Sequence, residues 1–264
     1  MMNDYTQIDQ ELHQLVQTIA KANRTFVSPK EDDSHTNLFF DPVSCRIYGQ
    51  WMDVGKEKVI LTLNLVTSQF EWLNDTWNVL QSFLIEGKTQ TQIEIEINEK
   101  LSELGLNTPS FLKEMHYQIP EYSFADQVWN TFSMERVKKW VRFRSLANQA
   151  SGLVAGTLQT SSEIRIWPHH FDTGIYAAPN PNTGIGFGLA MQDSMVGAPY
   201  FYCSGYNLNG NNMVYSEMPD LTFGHWVVGG TWNGAVLSLL DLSDNEILKI
   251  RGFIEETVGW YLKK

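Results

Sequence analysis

The run Val59-Ile-Leu-Thr-Leu-Asn-Leu-Val66 decides the fold class. Val59, Leu61, Leu63 and Leu65 alternate with Ile60, Thr62, Asn64 and Val66, so the period is two with apolar groups on both faces. Successive side chains of a strand point to opposite sides, and such a run needs a layer over each face of its sheet. Working outward, further strands are expected at 44–52, 70–73 and 77–84, a meander, and a short one at 111–118 before Pro120. The helices that cover the sheet are read from apolar groups three and four apart. Ile8, Leu12, Leu15, Val16 and Ile19 predict one over 4–24. Thr89-Gln-Thr-Gln92 resembles a capping box, with Ile93, Ile97, Leu101 and Leu104 behind it and Gly105 as the terminating residue. Ile93, Ile95 and Ile97 also fit a strand. Val137, Trp140, Val141, Ala147 and Ala150 mark a long helix over 133–155. Lys30–Asn37 reads as a loop, and 120–132 as an irregular aromatic segment.

The second half is richer in strands, expected at 163–167, 170–178, 185–192, 199–206, 213–217, 224–229 and 234–241. Asn180-Pro-Asn-Thr-Gly184, Asn209-Gly210, Gly229-Gly230 and Asn233-Gly234 are the turn signals between them. Ser243-Asp-Asn-Glu246 has the pattern of a capping box opening a last helix, whose apolar stripe is Ile247, Ile250, Ile254, Val258 and Tyr261. The class expected is α+β: antiparallel sheets with three to four packed helices in one unit over 1–264. Strands followed by a helix occur in both halves, which is compatible with two similar subdomains, 1–132 and 133–264.

Composition narrows the function classes. With 43% apolar and 19% charged residues among 264, the chain is globular in composition. A net charge of -11 argues against a nucleic-acid partner, because phosphate binding needs a basic surface. The densest basic group, Arg136, Lys138, Lys139, Arg142 and Arg144, lies on one expected helix and reads as a solvated face. Cys45 and Cys203 are far apart without a CxxC partner, the pattern of buried, unreactive thiols. No apolar run has the length of a membrane span, and the polar start lacks the pattern of a secretory leader. A cytoplasmic location without a membrane partner is the expectation. Cofactors and oligomeric state leave no signal.

The candidate chemistry lies in Glu163-Ile-Arg-Ile-Trp-Pro-His-His-Phe-Asp-Thr-Gly-Ile-Tyr176. Pro168 cannot donate a ladder hydrogen bond, so the strand is at an edge or breaks there. Strand alternation beyond it would send His169 and Phe171 to one face and His170 and Asp172 to the other. A carboxylate that orients an imidazole serves general bases and metal ligands alike. Trp167, His170 and Asp172, with Tyr202 and His225 as walls, make a candidate pocket for a small polar molecule, lined by aromatic rings. The alternatives are a metal-dependent hydrolase using His170, Asp172, His225 and Glu217, and a structural or homo-oligomeric protein in which the segment is a hydrogen-bonded network at a strand break. Thr183-Gly-Ile-Gly-Phe-Gly188 resembles a phosphate loop, but no Lys-Ser/Thr and no helix follow it. It reads as a strand whose glycines leave room for aromatic neighbours. Phe201-Tyr-Cys-Ser-Gly205 lacks the first glycine of a nucleophile elbow.

The order of elements resembles a bacterial family of uncharacterised proteins, over most of the chain. What carries the resemblance is Tyr48 and Trp51, the Val59–Leu73 hairpin, and Trp167, Phe171 and Asp172 as Trp-x-x-x-Phe-Asp. A strand like Ile185–Leu189 and Ala198-Pro-Tyr-Phe-Tyr202 follow. In that family Phe171-Asp172 is typical and the histidine pair is not always present. The resemblance therefore implies a structural or binding role for Phe171-Asp172 rather than a metal site. It implies no substrate, cofactor or catalytic residue.

Overall fold

The computed structural model describes residues 2–54, 57–106 and 108–264. Its helices are α1 (Met2–Phe26), α2 (Gln90–Glu103), α3 (Met134–Leu158) and α4 (Glu246–Tyr261). Strands β1 (Phe39–Asp41), β2 (Arg46–Tyr48), β3 (Met52–Val54), β4 (Glu57–Asn64), β5 (Gln69–Asn74) and β6 (Val79–Leu84) form one antiparallel sheet. Its order is β1-β2-β4-β5-β6, with β3 also paired to β4. Strands β7 (Arg165–Trp167), β8 (Asp172–Asn180), β9 (Thr183–Ala190), β10 (Tyr200–Asn207), β11 (His225–Val227) and β12 (Gly234–Ser238) form the second, of order β11-β12-β10-β9-β8-β7. The class is α+β, with four helices and two six-stranded antiparallel sheets.

The chain folds as two compact units. The N-terminal unit holds Asn3–Arg142 and Ile166–Phe171; the C-terminal unit holds Phe143–Arg165 and Asp172–Lys264. The division falls inside α3, ten residues after the expected 132/133 boundary, and the turn after β7 belongs with the first unit. The sequence offers no break there because the covalent path of one long helix crosses it.

In the N-terminal unit, β4 is buried from Val59 to Asn64, as its period of two requires. Leu61 pairs with Trp72 and Leu63 with Phe70 on one face; Ile60 pairs with Leu73 and Thr62 with Glu71 on the other. The second face contains a buried ion pair. Arg46 Nε donates to Glu71 Oε2 at 2.8 Å and Asn64 Nδ2 to Oε1 at 2.9 Å, with Glu71 only 4% exposed. Removing the cation alone strands a buried carboxylate, which typically costs about 3–5 kcal/mol, whereas replacing both partners by apolar groups is far cheaper. Arg46→Ala should therefore lower the urea midpoint strongly, and Arg46→Met with Glu71→Leu should recover most of the loss. Equal midpoints for single and double variants would refute this account.

Helix α2 starts and ends as its sequence specifies. Thr89 Oγ1 accepts from the Gln92 amide and Gln92 Oε1 accepts from the Thr89 amide, completing the capping box. At the other end Gly105 has φ +79, its N–H donates to Ser102 O, and Leu106 N–H donates to Leu101 O. That double closure needs the left-handed residue that glycine supplies without strain.

Other expectations are corrected. The strand expected at 44–52 is only β2, and β3 begins at Met52 and runs on to Val54. The stretches 111–118 and 213–217 form no strand. The first is irregular chain held by Arg24 at the end of α1, whose guanidinium donates to the Ser110, Lys113 and Glu114 carbonyls. The Ser243–Glu246 box does not form: Asn245 is the N-cap, in the left-handed region at φ 54, without a side-chain cap. Helix α4 consequently begins with Ile247 63% exposed, while Ile250, Ile254, Val258 and Tyr261 are buried as expected. The basic group of α3 is a solvated face only in part, at the exposed Lys138 and Arg142. Within the N-terminal unit Arg136 pairs with Glu11 and Lys139 with Asp4 and Glu135. Arg144 is fully buried, its Nη1 donating to Thr173 Oγ1 at 2.7 Å.

Candidate functional site

The C-terminal sheet has two unlike faces. On one, Ile185, Phe187, Leu189, Phe201 and Cys203 are buried, and α4 lies against that side, with the Tyr261 ring over Gly205. Cys203 is fully buried, which pushes its thiol up to about 12 and disfavours the thiolate; Cys45 is half-buried rather than buried as expected. The other face is set by β9. Directly paired residues of antiparallel strands share a face, so Gly184, Gly186 and Gly188 stand beside Tyr206, Ser204 and Tyr202 of β10. Each glycine lies under a tyrosine. A methyl at Gly188 would come within 3.0 Å of the Tyr202 hydroxyl, and one at Gly184 within 2.3 Å of the Tyr176 hydroxyl. At Gly186 it would lie 3.4 Å from the Tyr206 ring. The glycines of Thr183–Gly188 thus serve as room for aromatic rings, as the sequence predicts, and the segment is a strand rather than a phosphate loop.

Tyr202 uses that room to cross β9. Its hydroxyl reaches over Gly188 and donates to Asp172 Oδ2, at the first residue of β8. Asp172 is 8% exposed, and its Oδ1 is buried with no hydrogen-bond partner among the described residues. Burial, and then the Asp172 charge, hold the Tyr202 phenol well above its usual range, so it stays a donor. Next to it Tyr200 donates to Asp193 Oδ2 at 2.7 Å. Tyr176 and Tyr206, 44% and 45% exposed, meet edge-on at 5.8 Å, and Trp232 stands edge-on to Tyr202 at 6.3 Å.

The residues expected to form a site are distributed as follows. Asp172 and Tyr202 are bonded to each other. His225 pairs with Val236, which pairs with Tyr202, so His225 shares their face two strands beyond Tyr202, about 10 Å along the sheet, and is exposed. Glu217 is exposed in the chain between β10 and β11, at φ 57. Trp167 and His170 belong to the N-terminal unit. Among the described residues no group of three or more His, Cys, Asp or Glu is placed to hold a metal ion, so His170, Asp172, His225 and Glu217 do not assemble as one.

The strand alternation expected for His169–Asp172 fails because Pro168–Phe171 is a turn. His170 and Phe171 amides both donate to Trp167 O, at 3.3 and 2.6 Å, and Phe171 closes the turn at φ 54. His170 is exposed, while His169 is half-buried with its ring 5.5 Å from that of Tyr117. Similar four-residue turns join β1 to β2 and β4 to β5, closing on Cys45 at φ 51 and Ser68 at φ 54. Those two are opened by Asp41 and Asn64, whose side chains accept the turn amides. Trp167 cannot do that. The turn is held from α1 instead: His13 Nε2 lies 3.0 Å and Gln17 Nε2 2.8 Å from Pro168 O. A carbonyl only accepts, so Nε2 carries a proton, and Nδ1 shares a hydrogen bond with Tyr122 Oη at 2.8 Å. His13, 1% exposed, also stacks on Phe171 at 5.4 Å. It is a buried histidine that sequence patterning does not single out. The available signal was Asp9, His13 and Gln17 at successive i+4 steps in an apolar helix.

A second signal went unread. Between Arg165 and Lys249 the sequence has no lysine or arginine, while it carries carboxylates from Asp172 to Glu246. Strands β8 to β12 therefore carry aromatic and acidic groups without a lysine or arginine of their own; Arg144 of α3 reaches them at Thr173. No helix among the described residues is long and apolar enough to cross a membrane. Compared with family models, curated proteins and solved structures, the chain matches none.

Proposed function

We propose that the protein binds a small polar molecule on the tyrosine-and-glycine face of the C-terminal sheet, at Asp172. The observation that carries this is the divided carboxylate: Tyr202 holds Oδ2, and Oδ1 is buried without a partner. A buried acceptor left unmade costs about 1–3 kcal/mol. A fold keeps such a group where its use outweighs its cost, and binding sites are where local rules are broken. Supporting it, the half-buried Tyr202 beside the carboxylate, with Trp232, Tyr176 and Tyr206 farther along the face, gives rigid apolar surface and one polar anchor, the usual make-up of a small-ligand site. His225 lies farther along the face. The site is built without Trp167 and His170.

The test is a ligand-observed NMR screen of polar fragments against the wild type and Asp172→Asn. The amide still accepts from Tyr202 but removes the stranded charge. Fragment affinity should fall at least tenfold, the loss of one charge-assisted hydrogen bond. The melting temperature should stay level or rise. Fragments that bind the variant equally well, or a variant that no longer folds, would overturn the proposal.

A further inference from the structure

Resting on that site, we propose that its ligand is a small organic cation bearing N–H donors, a primary ammonium or a guanidinium. Three observations converge. Asp172 Oδ1 is an acceptor without a donor, and a carboxylate accepts only, so the ligand must bring the hydrogen. The sheet that carries it contains no lysine or arginine from β8 through β12, and the buried Arg144 of α3 is bonded to Thr173, which pairs with Leu189 on the opposite face from Asp172. Finally, the side chain that meets the carboxylate is aromatic, and further rings follow on the same face. Tyr202 leads to it over Gly188, Trp232 stands beside Tyr202, and Tyr206 lies over Gly186. Aromatic faces are negative and attract cations within about 6 Å of a ring centre.

Each ligand class then meets a different fate. An anion is repelled by Asp172 and by the carboxylates of the same stretch. A neutral polyol can satisfy Oδ1 but gains nothing from the charge. A cation gains the charge-assisted hydrogen bond, the aromatic faces, and the attraction of a chain whose net charge is -11. A guanidinium adds a planar group that can lie flat on a tyrosine while its N–H edge meets the carboxylate.

The probes are agmatine, which carries a guanidinium and an ammonium on a butane chain, and 1,4-butanediol, an uncharged molecule with the same butane chain. Binding is followed by the aromatic side-chain resonances of Tyr202 and Trp232 in the full chain. Agmatine should shift both, with an apparent affinity at least tenfold above that of the diol. Raising the salt from about 20 to about 500 mM should weaken agmatine and leave the diol unchanged. In Asp172→Asn the two probes should become equal. The salt series uses the wild type, so the proposal stays testable if that variant is lost. Diol binding as tight as agmatine, or agmatine binding insensitive to both salt and Asp172→Asn, would overturn the cation while leaving a polar-ligand site. Neither probe shifting Tyr202 or Trp232 would overturn both readings.

Discussion

Gly174→Ala should abolish folding of the C-terminal sheet, or lower its stability by more than about 4 kcal/mol, a loss reserved for a few mechanisms that include backbone clashes. Gly174 of β8 lies directly opposite Gly188 of β9. A methyl on it would stand 2.2 Å from the Phe187 carbonyl oxygen and 2.7 Å from the Gly188 Cα. Both obstacles are backbone, so no rotamer change relieves them. The strands would have to part where β9 also supports Tyr202 and Asp172. Substitution in an open glycine position gives the control. Gly152 in α3 has nothing near its missing Cβ, and alanine there should stabilise by about 0.5–1 kcal/mol, the helix preference for alanine over glycine. Thermal unfolding followed by circular dichroism separates the two. A Gly174→Ala protein melting within two or so degrees of the wild type, where about 1 kcal/mol moves a chain of this size by 2–4 °C, would show that the strands yield.

The same pair of glycines shows what the sequence made legible. Thr183-Gly-Ile-Gly-Phe-Gly188 says that side chains are missing on one face of a strand, and the tyrosines two positions apart in Tyr200–Tyr206 say what fills the space. Both are patterns of period two, which a strand imposes on its own sequence. The Val59–Val66 run and the Thr89–Gln92 box were readable for the same reason: each depends on residues within a few positions. The failures depend on what is distant or on single dihedral angles. His169–Asp172 looks like a continuing strand until Phe171 turns to φ 54, and that turn is held by His13 and Gln17, some 150 residues earlier in the chain. Ser243–Glu246 has the letters of a capping box, yet Asn245 takes the left-handed conformation and the side chains are not used. The candidate site divides in the same way. Asp172 and Tyr202 meet because β8, β9 and β10 are neighbours in the chain, whereas no local pattern tells that Trp167 and His170 belong to the other unit.

Alkali should unfold this protein sharply, starting just above pH 9. Burial raises the phenols of Tyr200, Tyr202 and Tyr261 far above the ordinary value of 10.0, with Asp193 reinforcing it at Tyr200 and Asp172 at Tyr202. It raises the Cys203 thiol from 9.0 to about 12. In every case the folded value lies above the unfolded one, so between them the native state holds more protons than the unfolded chain. The slope of unfolding free energy with pH is proportional to protons bound unfolded minus protons bound folded, and is therefore negative. The stabilisation is complete below the unfolded values and is lost as pH rises past them. One pH unit beyond its unfolded value, each such group has given up about 1.4 kcal/mol, so the three tyrosines together lose roughly 4 kcal/mol by about pH 11. That is a large share of the 5–15 kcal/mol that holds an ordinary domain together. The expected record is a tyrosinate absorbance rise in two stages. Phenols open to water ionise gradually; the buried ones ionise together, in step with the collapse of near-ultraviolet dichroism. Return to neutral pH should restore both signals. A smooth titration of all ten tyrosines near pH 10 with the dichroism intact would mean that these hydroxyls reach water in the folded state. The enclosure of Asp172 by Tyr202, on which the ligand site depends, would then fall with them.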